Sequence, residues 1–398
     1  RAGALEEQDL SVRRFWPMVR RAAAFLTQCG PVTQQDRWEE DGGYTPFTLG
    51  AEIAALLAAA DLAELAGEPH LAPYLRETAD AWYDRIDRWL FVRGTPIAQA
   101  VGVDGYYVRI TPAGVEEGDE AITIRNRTAD QSQGRADAMV STDALALVRF
   151  GLRAADDPRI RDTVRVIDAL LRVETPAGPC WHRYNGDGYG EHEDGSPFDG
   201  TGVGRVWPLL TGERAHFALA QGDRAEAERL LLTMEGLAGD GGLLPEQTWD
   251  SPDIPERELF FGRPAGSAMP LVWAHAEHLK LVRGLADGRV FDLPPQTAER
   301  YLNRQTRTEL VPWRFNHKTR ELPQGRTLRI ETLAPATLHW STDDWRTTRD
   351  DATRDTGLGV HLVDLSTAAV PAGSVLRFTF YWPEADRWEG TDFSVEIR

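Results

Sequence analysis

Residues 46–66 read PFTLGAEIAALLAAADLAELA, and the segment after them carries Leu71, Leu75, Trp82, Ile86 and Trp89 at helical spacing with charges between. The first is apolar on nearly every side, as in a helix buried all round, whereas the second keeps one wet face. Thr45 ahead of Pro46 supplies an N-cap and a proline at the first helical position, and Gly67-Glu68-Pro69 marks the turn between the two. An inner and an outer helix are thus joined, and the pair recurs. Met139 to Gly151 is again apolar and Ala-rich; after Asp156-Asp157-Pro158 an amphipathic helix follows with Ile160, Val164, Ile167 and Leu171. A third pair runs from Trp207 to Gln221, breaks at Gly222-Asp223 and continues through Ala227, Leu230, Leu231 and Met234. A helix over Phe15, Val19, Ala22, Ala23 and Leu26, and another near 267–285, bring the expected number to eight.

The connections are unequal. Inner-to-outer turns are short, and the outer-to-inner connections 30–45, 94–138, 173–204 and 238–264 are long. In stacked antiparallel pairs, connections of one kind emerge at one end, so the long loops share one mouth, where function concentrates. The expected class is mainly α: an incomplete (α/α)6 toroid with about eight of twelve helices. A solenoid is the rival, but these pairs lack a regular period. The remaining helices are expected upstream of Arg1, which is neither a Met start nor part of a signal peptide. From about Leu293 the pattern changes to short β-branched and aromatic runs, such as 375–382 and 393–397, separated by turns such as Pro371-Ala372-Gly373. We expect two domains, a helical 1–290 and a small antiparallel β-sandwich over 291–398. Trp340, Trp345, Trp382 and Trp388 are read as sandwich core rather than as a sugar-stacking platform.

The chain has 398 residues, with 44 Lys and Arg against 62 Asp and Glu, a net charge of −18. Such acidity repels phosphate backbones and anionic lipid, so neither nucleic acid nor a membrane is an expected partner. Cys29 and Cys180 make no disulfide scaffold and no metal-site spacing. His275 and His278, three apart, stand without a carboxylate or thiol cluster, and the acidic stretch Asn185–Gly195 lacks the ligand rhythm of a calcium loop. No phosphate loop, dinucleotide fingerprint or Gly-x-Ser-x-Gly is present. No metal and no cofactor are expected.

Carboxylates in aromatic company occur at two places on the long-loop face: Trp38-Glu39-Glu40 before the first inner helix, and Pro245-Glu246-Gln247 before the last. Two carboxylates across a pocket are what glycoside hydrolysis needs, one protonated to donate to the leaving oxygen and one ionised to activate water. Burial beside Trp38 and repulsion from the adjacent carboxylate favour the protonated form of Glu39 or Glu40.

Trp38-Glu39-Glu40, preceded by Gly30–Arg37, resembles the general-acid segment of the glucoamylase and glucodextranase family of inverting glycosidases, and Pro245-Glu246-Gln247 resembles its general-base segment. Between them, Trp181–Gly190 and Gly202–Pro208 resemble substrate loops of the bacterial branch, and Gly266–Glu277 resembles the last inner helix. The likeness runs in order over about residues 5–290, and the tail is similar to the β-domain ending many bacterial members. The resemblance implies Glu39 as general acid, Glu246 as general base, Glu40 and Arg205 as sugar contacts, Trp38, Tyr184 and Trp207 as pocket wall, and Gln247 beside the water or sugar. It further implies an exo-acting hydrolase that releases glucose from non-reducing ends of an α-glucan by single-displacement inversion. A carbohydrate-binding or scaffold protein without turnover, and a glucosyltransferase acting on α-glucans, are the alternatives. The family's Arg-Asp segment, which grips the terminal glucose, has no match in this chain, so an upstream portion of the polypeptide is an expected partner and weak hydrolysis or an unstable fold is expected without it. A polymer substrate fits secretion, with the cytoplasm as the alternative.

Overall fold

A computed structural model describes residues 2–113 and 120–398, with side chains from residue 12 onward. Residues 114–119, inside the expected connection 94–138, lie outside the described residues. The helices are α1 (Ala2–Cys29), α2 (Pro46–Ala66), α3 (Ala72–Tyr83), the short α4 (Ile86–Leu90), α5 (Pro96–Val101) and α6 (Ala146–Arg149), then α7 (Pro158–Leu171), α8 (Pro208–Ala220), α9 (Arg224–Gly236) and α10 (Val272–Asp287). None of the described helices is long and apolar enough to cross a membrane.

Helix α2 forms as its pattern predicts: Thr45 Oγ1 accepts the Thr48 amide at 3.3 Å, and Leu49, Ile53, Leu56, Leu57 and Ala60 are buried. Asp157 and Asp223 cap α7 and α9 through side-chain bonds to the amides of Arg159 (2.9 Å) and Glu226 (3.0 Å). One expected helix is not a full one. Met139–Gly151 forms a 3-10 turn at Thr142–Leu145 followed by the single turn α6. Ser141 offers its side chain to the local backbone, its Oγ accepting the Asp143 amide at 3.2 Å, and this competes with a continuous helix. The last helix begins at Val272 rather than 267, because Pro270 holds the residue before it out of helical conformation.

Two compact units are present: one gathers the residues up to Thr33, Glu52–Arg85 and Thr306–Arg398, the other Gln34–Ala51 and Ile86–Gln305. This grouping is discontinuous in sequence and differs from a division at residue 290; helical turns continue over Pro295–Thr297 and Ala298–Asn303, and the change from helix to strand falls between Asn303 and Leu310. The reason lies in contacts within the first unit. Gln28 of α1 donates to the Leu358 carbonyl at 2.7 Å, Arg314 donates to the Gly30 carbonyl at 3.1 Å, and Arg329 pairs with Glu77 of α3 at 2.8 Å.

Strands β1 (Phe91–Arg93) and β2 (Gly105–Tyr107), β3 (Ala121–Thr123) and β4 (Gln133–Arg135), and β5 (Arg172–Thr175) and β6 (Gly178–Trp181) pair as hairpins in the second unit. The C-terminal strands are β7 (Leu310–Trp313), β8 (Glu321–Leu322), β9 (Thr327–Thr332), β10 (Thr337–Ser341), β11 (Arg349–Ala352), β12 (Arg354–Asp355), β13 (His361–Ser366), β14 (Val375–Trp382), β15 (Arg387–Trp388) and β16 (Phe393–Ile397). They make one sheet of order β11-β10-β14-β16-β8, with β15 on β14, and a second of order β12-β13-β9-β7. Both sheets supply one core, including Trp313, Leu328 and Ile330 from one and Leu338, Phe378, Phe380 and Val395 from the other. Of the four tryptophans expected in this core, Trp340 and Trp382 pack against it only partly, and Trp388 is 53% exposed.

Candidate active site

The loop before α2 turns on Asp36. Its Oδ1 accepts the amides of Trp38 (3.0 Å) and Glu40 (3.1 Å), and its carbonyl accepts that of Glu39 (3.1 Å). Three successive amides aimed at one residue curl the backbone, and Glu39 takes φ 60°, a left-handed conformation that costs a residue with a side chain ~1–2 kcal/mol. Trp38 and Glu40 turn inward and are buried, while Glu39 is left exposed at the tip.

The charges beneath this turn are tolerated because each is paired. Buried Arg109 donates to Asp36 (2.7 Å), Glu40 (3.0 Å) and Asp41 (3.0 Å), with its guanidinium 4.0 Å from the Tyr184 ring centre. Glu40 accepts from Arg109 and the Tyr184 hydroxyl (2.6 Å) on one oxygen, and from Arg183 (2.8 Å) and Asn126 (3.2 Å) on the other. Burial raises the Glu40 carboxyl above its ordinary pKa, against the pull of Arg183 and Arg109. Arg37 lies between the rings of Trp38 (4.4 Å) and Phe47 (4.5 Å) and pairs with Asp143 (2.7 Å) and Glu213 (2.5 Å). Burial pushes Asp143 up to about 6 even with Arg37 beside it.

The second loop is pinned along its length. The amide of Leu244 donates to His275 Nε2 (3.0 Å), that of Glu246 to the Ala268 carbonyl (2.8 Å), that of Gln247 to Ser267 Oγ (2.9 Å), and that of Thr248 to the Val206 carbonyl (2.9 Å). Gln247 Oε1 accepts the Arg205 amide at 3.0 Å, and its Nε2 stands 3.5 Å from Glu246. Gly190 is required here, since a Cβ would meet the Val203 carbonyl at 2.2 Å and Gln247 Oε1 at 2.9 Å. Glu246 is half-buried and, with Tyr189, Phe198, Gln247, Leu259 and Ser267, lines a cavity of about 560 Å³. The Tyr189 hydroxyl hydrogen-bonds Glu246; burial first, and then that carboxylate, raise the phenol above its ordinary pKa.

Aromatic rings join the two loops. Trp38 meets Trp207 edge-on at 5.3 Å and Trp273 at 5.5 Å, and Trp207 lies 6.4 Å from Tyr189. The Arg183 guanidinium stands over Trp38 (5.0 Å), Trp207 (5.5 Å) and Tyr189 (5.0 Å) at once. The indole N–H groups of Trp38 and Trp207 are buried without a hydrogen-bond partner among the described residues.

Several of the expected site residues are engaged by protein partners. Glu40 has four donors on two oxygens, which matches a carboxylate's capacity and braces the loop. Burial as a device for holding a proton acts on Glu40, whereas Glu39 is exposed. Arg205 spends its terminal nitrogens on Asp250 (3.1 Å), Ser251 (2.8 Å) and the carbonyls of Glu191 (2.9 Å) and His192 (3.1 Å), over the Trp249 ring at 4.0 Å. It ties loops together and has no terminal donor left for a hydroxyl. Tyr184 is 1% exposed and packs with Ile110, Ile122 and Met139, beneath the pocket wall and not on it. Trp38 and Trp207 enter the ring cluster, and Gln247 and Glu246 line the cavity; Glu39 stands outside that lining. Residue reading missed Asp36, Arg109, Arg183 and Tyr189. Arg109 carries a signal in hindsight, an arginine inside the apolar run Tyr106-Tyr107-Val108-Arg109-Ile110, which demands a buried partner. Among the described residues, no group of three or more His, Cys, Asp or Glu is arranged to hold a metal.

The chain is 39% identical over 285 residues to a glucoamylase of Clostridium sp. (strain G0005), a match covering 72% of this chain and 38% of that protein. It aligns with a bacterial glucoamylase solved in complex with acarbose at 37% identity and TM-score 0.67, covering 74% of this chain and 41% of that one. A shorter likeness, 29% over 96 residues, links 21% of the chain to 10% of a cycloisomaltooligosaccharide glucanotransferase of Niallia circulans. The chain thus spans about two fifths of the length of the glucoamylases it matches. Residues 5–283 match the profile of glycosyl hydrolases family 15, and the chain belongs to that family.

Proposed function

We propose that this chain is part of an exo-acting α-glucan glucohydrolase, releasing glucose from non-reducing ends by a single inverting displacement. Glu39 donates the proton to the leaving oxygen, and Glu246 takes a proton from the attacking water. The observation that carries this reading is the ring cluster Trp38–Trp207–Tyr189 under Arg183, which ties the turn of Glu39 to the cavity of Glu246. The unpartnered indole donors of Trp38 and Trp207 suit a ligand rich in hydroxyl acceptors. The kinship with a bacterial glucoamylase that binds acarbose points to an α-glucan substrate.

In this mechanism Glu246 is positioned before substrate arrives: Tyr189 and Gln247 orient its oxygens, and the anchored loop stops it from turning away. Glu39 stands exposed at the turn tip, where a sugar seated over the ring cluster can reach its carboxyl. Glu40 serves the reaction by bracing both Arg183 and the Asp36 turn. The helices fit an (α/α)6 toroid, the C-terminal sheets fit a β-sandwich accessory domain, and secretion fits a polymer substrate.

Proton NMR of the protein as expressed, acting on maltotriose and isomaltotriose, tests the reaction. β-Glucose as the first product supports inversion, and the trisaccharide consumed faster gives the linkage. α-Glucose first refutes inversion. Longer oligosaccharides in place of glucose support the transferase reading, which the likeness to a glucanotransferase keeps open. Glu39→Gln and Glu246→Gln each lower kcat by at least ~10³-fold with sugar binding retained, and a smaller loss in either removes that residue from its role.

A further inference from the structure

The outer face of the sheet β11-β10-β14-β16-β8 carries a row of rings that the core does not use. Tyr381 meets Trp388 at 5.4 Å, Trp388 meets His339 at 5.6 Å, and His339 stacks on Trp345 at 5.4 Å with planes 8° apart. Pairing of β14 with β15 places Tyr381 opposite Trp388, and pairing of β14 with β10 places Thr379 opposite His339, so the row crosses three strands. Trp388 is 53% exposed, and the other three are half-buried.

Two features show that the row is held in place. Trp345 has φ 65° and Asp344 φ 60°, a backbone region that a bulky residue enters only when its surroundings force it. The forcing comes from Ser341 Oγ, which accepts the Trp345 amide at 3.0 Å, and from Asp343, which accepts both the amide (2.9 Å) and hydroxyl (2.7 Å) of Thr347. At the other end Asp386, also left-handed at φ 47°, accepts the Tyr381 hydroxyl at 2.6 Å. Strain at both ends keeps apolar rings in water, where burial inward would have been the easier outcome.

We propose that this strip is an accessory binding surface for an α-glucan chain, in which Tyr381, Trp388 and Trp345 stack against successive pyranose rings and the carboxylates at its rim accept sugar hydroxyls. Ring faces suit the C–H faces of a hexose. Asp350, bound to His339 at 2.7 Å, and Asp386 give the rim acceptor oxygens whose charge disfavours phosphate or carboxylate ligands and suits a neutral polyol, while Asp344 is paired with Arg377 at 3.0 Å. The proposal rests on the reading of the chain as acting on α-glucans, and it names a second place where the polymer is held.

The test is native electrophoresis of the protein as expressed through gels containing glycogen or dextran, comparing it with Trp388→Ala, Trp345→Ala and the double variant. Retardation in at least one polymer is expected. The apparent dissociation constant should rise roughly three- to tenfold per ring removed, with glucose release from maltotriose and isomaltotriose unchanged. Trp388→Ala, whose ring is already half in solvent, keeps the test open if Trp345→Ala disturbs its turn. A double variant retarded as strongly as the unaltered protein overturns the surface. Glucose release with that result leaves the hydrolase reading standing. Conversely, lost retardation without glucose release from any variant supports the surface and removes the hydrolase reading.

Discussion

Asp36→Asn separates holding a catalytic group from being one. The substitution preserves volume, and the new amide oxygen can still accept the amides of Trp38 and Glu40, now 3.0 and 3.1 Å from Asp36 Oδ1. What it removes is the ionic partner of Arg109 at 2.7 Å, setting an N–H group against another donor in a buried site. Taking one partner from a buried pair costs ~3–5 kcal/mol. Arg109 keeps Glu40 and Asp41, each at 3.0 Å, so the low end applies. For a domain of this size that is a fall in Tm of roughly 6–12 °C. The turn keeps its three amide bonds but loses the ion pair that seats residue 36, and a displacement of about 1 Å at a reacting group lowers turnover ~10²-fold.

Four proteins decide the matter: the unaltered enzyme, Asp36→Asn, Glu39→Gln and the double variant, each assayed for glucose release and for thermal unfolding. If Asp36 acts through Glu39, adding Asp36→Asn to Glu39→Gln lowers kcat less than about threefold further while still costing the full stability decrement. Losses that multiply in kcat, or a single variant with full kcat well below its Tm, would refute the positioning role.

Three other perturbations give distinct readouts. Glu52 is 6% exposed with an unpartnered oxygen, and burial pushes it up to about 7. Its folded carboxyl holds a proton that the unfolded chain has already released, so this stabilising contribution is complete below about pH 4.5 and is lost as pH rises through about 7. Glu52→Gln should therefore raise stability at pH 8 by up to ~3 kcal/mol and leave it nearly unchanged at pH 4, as read by denaturant unfolding at the two pH values. Arg205→Lys replaces a fork that ties four acceptors with a single point charge; it should cost about 3 kcal/mol of stability and change KM for maltotriose less than about threefold, and a large KM rise with normal unfolding would restore a direct sugar contact. Both cysteines are free, Cys29 exposed and Cys180 buried with its thiol pushed up to about 12 by burial, so a thiol reagent should label one cysteine in the native protein and two after unfolding.

Periodicity made the long helices legible, because the apolar pattern of α2, α7, α8 and α9 and the side-chain caps of α2, α7 and α9 are local in sequence. The stretch Met139–Gly151 defeated the same reading, since Ser141 at its start binds the backbone where a 3-10 turn begins. Glu246 and Gln247 were visible as a polar pair in a long loop, and their place on a cavity follows from backbone bonds to Val206 and Ala268 that no local pattern predicts. The protein partners of Arg205 and Glu40 were not legible for one physical reason. A charged residue beside a pocket looks the same in sequence whether it faces the ligand or holds the wall, and only the count of partners distinguishes the two. The exposed ring row was hidden likewise, because alternation in β14 marks Phe378 and Phe380 as inward without showing that Tyr381 meets Trp388 on the other face.

The site also explains why so many charges lie under two loops. Neither Glu39 nor Glu246 sits on a helix or in a strand, and loops are the least constrained parts of a fold. Precision has to be supplied from below, and apolar packing alone cannot supply it, because a hydrophobic contact fixes distance but not direction. Directional bonds to Asp36, Glu40, Arg109 and Arg183 do fix it. Arg183 is the junction, since it salt-bridges Glu40 in the first loop and covers Tyr189, the hydrogen-bond partner of Glu246 in the second. The turn that carries Glu39 and the tyrosine that bonds Glu246 thus share one guanidinium. Shortening Arg183 to lysine should disturb the roles of Glu39 and Glu246 together, so its kcat loss and that of Tyr189→Phe should be far from additive, whereas independent losses would show that the loops are set separately.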